Sequence, residues 1–333
     1  TDISRRFVDE ISFSASPVEI VRLLSLTREY LRMLKEVYGH PDPVVEDLTY
    51  IAEKITIPGS WFEPELLPDF HEALAGIRRY LDFFLERDDF PLLKELSAGI
   101  YVDEELVIAA GALLDDQGDI RDSASPELAA IRKEINSARS RSEKMLRKIL
   151  KSAVDEGVLP KDTEYTVKNG RFVIPVPAAK KRQVKGYIHD ESATGQTVYI
   201  EPAEVLELFN ALRELELAER REIIRIMIKL ADLLRPHIPE IGKGFRYAGM
   251  LDFIRAKAKL AMKINGVMPE IAASPHLDWK RAVHPLLFLS FLNQEREVVP
   301  LDITLEEKER ILIISGPNAG GKSVCLKTVG LLQ

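Results

Sequence analysis

Cysteine is almost absent: Cys325 is the only one in 333 residues. No internal disulfide framework can exist, so packing alone must hold the fold, and a reducing cytoplasmic setting fits. The thiol sits two positions beyond Cys325's neighbouring loop residue Ser323, where a packed, inert role is the simpler reading than a redox switch. Long apolar runs are missing too. The stretch from Ile223 to Leu230 is interrupted by Arg225 and Lys229, and nothing approaches the length of a membrane span. No secretory signal pattern opens the chain, and Thr1 reads as a cut end rather than a natural start. The six histidines show no metal-ligand spacing. Excess positive charge is also lacking. Lys and Arg total 46 against 53 Asp and Glu, a net charge of −7, which excludes a generally basic nucleic-acid binder but leaves room for local basic patches. With 46% hydrophobic and 30% charged residues, the composition is that of a helix-rich globular protein of two or three domains.

The strongest positive signal lies near the end of the chain. Gly316 to Ser323 reads Gly-Pro-Asn-Ala-Gly-Gly-Lys-Ser, a Gly-x-x-x-x-Gly-Lys-Ser phosphate loop. A triphosphate must exchange its water for other donors, which converging backbone N–H groups and a helix amino terminus supply. Gly316, Pro317, Asn318 and Ala319 would form the cradle, and Gly320 and Gly321 would allow close backbone approach. Lys322 would reach the β- and γ-phosphates, and the Ser323 hydroxyl would ligate the Mg2+ that accompanies ATP. The motif requires a strand before it and a helix after it. The apolar run Ile311-Leu312-Ile313-Ile314 predicts a buried parallel strand, and Val324 to Leu332 predicts a helix, with Leu326, Val329 and Leu332 at helical spacing. Only ten positions separate Ser323 from Gln333, and no Asp-Glu pair follows a second apolar strand. The sequence therefore reads as a piece of a larger ATPase, and residues 1–333 alone are expected to hydrolyse no ATP.

Upstream, residues 1 to about 124 read as helices. Val18 to Val37 carries an apolar stripe through Ile20, Val21, Leu24, Leu31 and Leu34 and stops at Gly39. Leu66 to Leu85 and Phe90 to Ile100 follow, and Trp61 and Phe62 precede Pro64 at a helix entry, as core aromatics. Asp115 to Asp119 is a short acidic turn without the liganding pattern of a calcium loop. Ser125 and Pro126 then supply a cap and a first helical residue. From there Leu128, Ile131, Ile135, Ala138, Ser142, Met145 and Ile149 recur at alternating spacings of three and four, a heptad seam. A second long helix follows Pro202 through Val205, Leu208, Leu212, Leu215, Ile223, Ile226, Leu230 and Leu233 to Pro236. Two such helices suggest an antiparallel arm, thirty residues spanning on the order of 45 Å; an ordinary helical bundle is the alternative.

The insert between the two helices is β. Tyr165 to Lys168 meets Arg171 to Ile174 through Asn169-Gly170, the preferred type I′ hairpin pair. Lys180, Lys181, Arg182 and Lys185 come next, and the small and hydroxyl residues from Ser192 to Thr197 form a turn before another strand. A cation cluster there suits nucleic-acid phosphates, and equally a solvated surface. Leu251 to Met262 is one more helix, Ala272 to Leu289 reads as extended, and Val298 to Leu305 as a short strand entering the nucleotide domain.

Together these features resemble the second branch of the MutS family of ATPases, over essentially the whole chain. The resemblance rests on the loop at Gly316–Ser323, on Lys280-Arg281-Ala282-Val283-His284-Pro285-Leu286-Leu287, on Arg171 to Val176, and on His189 to Thr197 with Ile200-Glu201-Pro202. It implies a multidomain, mostly α fold. Residues 1–125 and 237–278 would form a core or lever domain, 126–157 an outgoing arm, 158–202 a β-containing clamp that touches nucleic acid, 203–236 a returning arm, and 279–333 the start of an α/β P-loop ATPase domain of the ABC type. It also implies a homodimer, ATP and Mg2+ as cofactors, and branched recombination DNA or collided ribosomes as partners, with no membrane. Nuclease activity in the branch is assigned to a C-terminal Smr domain, which this sequence does not contain. Val298 would sit near the adenine face. Val298-Val299-Pro300-Leu301-Asp302 departs from the branch's Val-Val-Ala-Asn-Asp, which bears on the base contacts; Ser323-Val324 and Pro177-Ala178-Ala179 are further departures. The letters Phe84-Leu85-Glu86 match the mismatch-reading Phe-x-Glu, but they lie inside an apolar helical stripe and read as core. Two other classes compete: an SMC-like coiled-coil ATPase, in which the loop would precede the first arm, and a non-enzymatic scaffold that uses the arm for protein contacts.

Overall fold

Helices make up most of the protein, 59% of its residues, with small antiparallel sheets beside them. The computed structural model describes residues 2–41, 48–168, 171–272, 274, 276–292, 294, 296–309, 311–317 and 320–333. Contacts divide the chain into two compact units, one of Thr1–Ala52, Glu72–Glu104 and His237–Gln333, the other of Glu53–His71 and Glu105–Pro236. Helices in chain order are α1 (Asp2–Asp9), α2 (Pro17–Glu36), α3 (Thr49–Lys54), α4 (Leu67–Leu85), α5 (Pro91–Leu96), α6 (Glu104–Ala112), α7 (Pro126–Asp155), α8 (Ala203–Leu234), α9 (Ile238–Lys263), α10 (Pro285–Phe291) and α11 (Lys322–Leu332). Strands are β1 (Thr166–Lys168), β2 (Arg171–Pro177), β3 (Gly186–Glu191), β4 (Thr197–Pro202), β5 (Leu277–Ala282) and β6 (Leu301–Leu305).

In the first unit, α1 and α2 pack on α9, and α2 also meets α5. Ser16 caps α2 by accepting from the Glu19 amide, and Pro17 opens the helix without wasting a donor. Glu29 on α2 reaches the amino terminus of α5, where its carboxylate accepts from the Leu92 and Leu93 amides at 3.0 and 3.1 Å. Phe84 is wholly buried, as the apolar stripe requires, with Tyr80 and Phe83 against it. β5 and β6 pair antiparallel with an irregularity between Trp279 and Ala282. The extended reading of Ala272 to Leu289 is corrected here: after β5 the chain turns into α10, because His284 accepts from the Leu287 amide and Pro285 sits in the first turn. The strand read from Val298 begins only at Leu301.

The second unit is organised by α7 and α8, which run antiparallel. Ser125 at the start of α7 donates to Glu222 late on α8 (2.6 Å), Arg132 donates to Glu219 (2.7 Å), and Ile135 and Ala138 pack with Leu212. Helices of 30 and 32 residues are each on the order of 45–50 Å long. The seam follows the heptad reading only at first. Leu128, Ile135, Ala138 and Ser142 are buried as expected, but the line then passes to Leu146 and Leu150 instead of Met145 and Ile149. On α8 it takes Phe209 and Leu234 rather than Leu208 and Leu233. At Leu146, Leu150 and Phe209 the shift comes where a sheet joins the two helices, so the buried face is chosen there by three elements instead of two. Leu146, Leu150, Val205 and Phe209 share one core with Ile174, Val176, Val198 and Ile200.

That sheet has the order β1-β2-β4-β3, every neighbour antiparallel. Lys168 opposes Arg171 in the register of a two-residue hairpin; the Asn169-Gly170 turn itself lies outside the described residues. Ser192 to Thr197 turns as expected, closed by the Ser192 amide on the Thr197 carbonyl at 2.8 Å, with Gly195 at φ +68°. In the acidic turn, Asp115 accepts from the Gln117 and Asp119 amides, so its carboxylate serves the turn.

Candidate nucleotide loop and clamp sheet

The phosphate-loop residues sit between an extended segment and α11. Gly316 has φ +145° and Gly321 φ +83°, both in the region that favours glycine, so neither position accommodates a Cβ without strain. Gly321 caps α11, the Gly320 amide donates to the Pro317 carbonyl at 3.0 Å, and the Cys325 amide begins the helical ladder on Gly321 at 2.9 Å. Lys322 and Ser323 thus occupy the first turn of a helix, where backbone N–H groups are unsatisfied and the dipole favours anions. The Lys322 ammonium donates to the Gly316 carbonyl, folding back across the loop. Asn318 and Ala319 lie outside the described residues. Donor set, glycine backbone and helix start all suit a polyphosphate with Mg2+.

The segment before the loop departs from its reading. Ile311 to Ile314 joins no sheet among the described residues, and Ile311 and Ile313 are 84% and 86% exposed. A parallel strand is held by ladder partners and by helices on both faces, and no described strand lies alongside this one. Val298 belongs to another surface, a groove it lines with Arg281, Val283, Phe288, Leu292 and Arg296; none of the described phosphate-loop residues lines it.

In the connection between β2 and β3, Lys181, Arg182 and Lys185 are exposed and make no ion pair among the described residues. Lys180 is half-buried, and its ammonium donates to the Gly157 carbonyl just past α7 (2.6 Å). The fold adds a cluster not expected from the sequence. Glu201, its side chain 1% exposed, accepts from Arg171 Nη1 at 3.0 Å on both oxygens and bonds His189 Nε2 at 2.6 Å. Lys168 lies over the Tyr199 ring and 3.4 Å from Asp190. The signal for this face was the alternation in Thr197 to Glu201: Val198 and Ile200 go to the core, which sends Tyr199 and Glu201 to the other side. Among the described residues no group of three or more His, Cys, Asp or Glu could hold a metal, and no helix is long and apolar enough to cross a membrane.

At the root of the helix pair, Ser125 both caps α7 through the Leu128 amide (3.0 Å) and donates to Glu222. Arg225 donates to the same carboxylate at 2.7 and 2.8 Å. These bonds, the Arg225 guanidinium first, hold the Glu222 carboxyl below the usual carboxylate range against the opposing effect of burial.

No family model matches the chain. Among curated proteins it is 36% identical over 331 residues to the Endonuclease MutS2 of Enterococcus faecalis, covering 98% of this chain and 41% of that protein. The Endonuclease MutS2 of Pelotomaculum thermopropionicum is 38% identical over 275 residues, 82% of this chain and 34% of that protein. That of Caldanaerobacter subterraneus subsp. tengcongensis is 33% identical over 334 residues, 100% of this chain and 41% of that protein. The chain spans about two fifths of the length of these relatives, in their amino-terminal part. Identity at this level, sustained along nearly all of the chain, places it in their company: it belongs to the MutS2 branch of the MutS family.

Proposed function

We propose that the protein is an ATP-dependent nucleic-acid clamp. ATP with Mg2+ binds at Gly316 to Ser323, with Lys322 on the phosphates and the Ser323 hydroxyl on the metal. The paired helices α7 and α8 carry the sheet of β1 to β4, and Lys181, Arg182 and Lys185 in the turn between β2 and β3 meet nucleic-acid phosphates. The substrates we propose are branched or recombination DNA and the RNA of collided ribosomes, gripped by a homodimer that rearranges with nucleotide state. Endonuclease action, which the relatives' name carries, we assign to a domain outside residues 1–333.

One observation supports this reading above the others. Leu146, Leu150, Val205 and Phe209 of the two helices share a single buried core with four residues of the sheet, so the sheet is a rigid extension of the helix pair. A displacement of the helices is then a displacement of the sheet, which the coupling of two sites requires. The test measures affinity for a branched DNA in the intact protein, with and without a non-hydrolysable ATP analogue. The analogue should change the affinity by about fivefold or more, and Lys322→Ala should remove the change while leaving binding without nucleotide intact. Equal affinities in the unsubstituted protein would refute the proposal.

A further inference from the structure

The outward face of the sheet carries aromatic rings with little net charge. Tyr187 opposes Glu201 across β3 and β4, Lys168 opposes Arg171 across β1 and β2, and Asp190 opposes Tyr199, so all six share the face turned away from the helices. Their cations are already neutralised in place, Lys168 by Asp190 and Arg171 by the buried Glu201, which also fastens His189. A face balanced in this way has little attraction for a phosphate backbone. What it offers is ring surface. Tyr187 is 59% exposed, and its side chain makes no hydrogen bond or ring contact among the described residues. Its place is rigid: a Cβ at Gly186 would collide with the Glu201 carbonyl, so β3 lies tight against β4 at this point. Tyr199 is half-buried beside it under the Lys168 ammonium.

The neighbouring chain supplies what the face lacks. Lys185, exposed and unpaired among the described residues, stands two positions before Tyr187, the repeat that brings side chains to one side of an extended chain. Its carbonyl accepts from the Ala203 amide at 3.0 Å, which fixes the approach. A free cation next to an open ring on a rigid sheet is the arrangement that holds a strand by its backbone and its bases together. In a duplex the bases are stacked on one another and present only their edges, so a ring platform is useful only to unpaired nucleotides.

We propose that this face is a single-strand contact, with Tyr187 as the stacking surface and Lys185 taking the adjoining phosphate. The proposal rests on the clamp reading above and deepens it: the substrate class of this face is nucleic acid with exposed, unpaired bases, as at a branch point or a loop.

The experiment uses the intact protein, a fluorescent oligothymidylate and a duplex of equal length, with anisotropy read over a range of salt. Tyr187→Ala should weaken oligothymidylate binding about tenfold or more, leave the slope of log affinity against log salt unchanged, and leave duplex binding unchanged. Tyr187→Phe should retain single-strand binding, since the ring remains. Lys185→Ala should make the slope shallower on both ligands. Undiminished oligothymidylate binding by Tyr187→Ala, an equal loss on duplex, or a loss with Tyr187→Phe as large as with Tyr187→Ala would overturn the proposal. Unsubstituted protein that binds duplex but no oligothymidylate would sink this inference alone, whereas protein that binds neither would sink the clamp reading with it.

Discussion

The basic turn of the second unit offers a quantitative test, because the fold changes the number that sequence alone supplies. Four cations stand within six positions, Lys180, Lys181, Arg182 and Lys185. The Lys180 ammonium is tied to the Gly157 carbonyl at 2.6 Å, and it is the one of the four that is not exposed. Three are therefore free for phosphates. Each phosphate contact contributes about 0.9 to the slope of log affinity against log salt on duplex DNA. Replacing Lys181, Arg182 and Lys185 by alanine should thus make the slope shallower by about 2.7, and replacing Lys180 as well should leave the change there, where four engaged cations would take it to about 3.6. Between ~50 and ~200 mM salt, a slope difference of 2.7 means that the variant loses roughly 40-fold less affinity than the unsubstituted protein. Its binding at the lower salt should be correspondingly weaker. Lys180→Ala is the internal control and should leave the slope in place. Fluorescence anisotropy titrations of one duplex at four or five salt concentrations decide the matter. An unchanged slope in the triple variant would remove the turn from the contact surface, and a slope change on Lys180→Ala alone would show that the tie to Gly157 is broken in solution.

Five further outcomes can be measured. Ser125→Ala removes both the cap bond to Leu128 and the bond to Glu222 and should lower stability by about 1–3 kcal/mol in urea unfolding. Glu222→Gln tests the linkage of stability to pH. The folded-state carboxyl is held low, so its contribution is present above the usual carboxylate range and is lost as the pH falls through its folded-state value; the variant should be about 1 kcal/mol less stable at neutral pH, and the gap should close in acid. A gap independent of pH would show that the Arg225 contact does not matter. Leu146→Ala opens a cavity where helices and sheet meet and should cost about 2–5 kcal/mol, read as a lower urea midpoint with an unchanged slope. Residues 1–333 alone should show no steady-state ATP turnover in a coupled assay, while Lys322→Ala weakens binding of an ATP analogue on the order of tenfold or more by calorimetry; robust turnover would overturn the first expectation and undiminished binding the second.

Local signals carried much of the fold. Ser125-Pro126 marked a helix start because a hydroxyl cap followed by a residue without an N–H is the cheapest way to begin a helix, and Ser16-Pro17, not read from the sequence, opens α2 in the same way. Gly316 and Gly321 of the phosphate loop stand where φ is positive, since other residues are strained there. The Asn169-Gly170 pair and the small and hydroxyl residues from Ser192 to Thr197 pointed to β1, β2 and β4, while β3 was not read as a strand. These features depend on near neighbours in the chain, and a sequence displays its neighbours. Partners distant along the chain were decided by tertiary structure alone. The seam moved from Met145 and Ile149 to Leu146 and Leu150 because the sheet competes for the same helix face. Ile311 to Ile314 has the composition of a strand but no described neighbour to pair with, and a strand is a property of at least two segments. Glu201 could not be seen as the buried carboxylate joining Arg171 and His189, thirty and twelve residues away, because burial and charge pairing depend on which strands lie side by side.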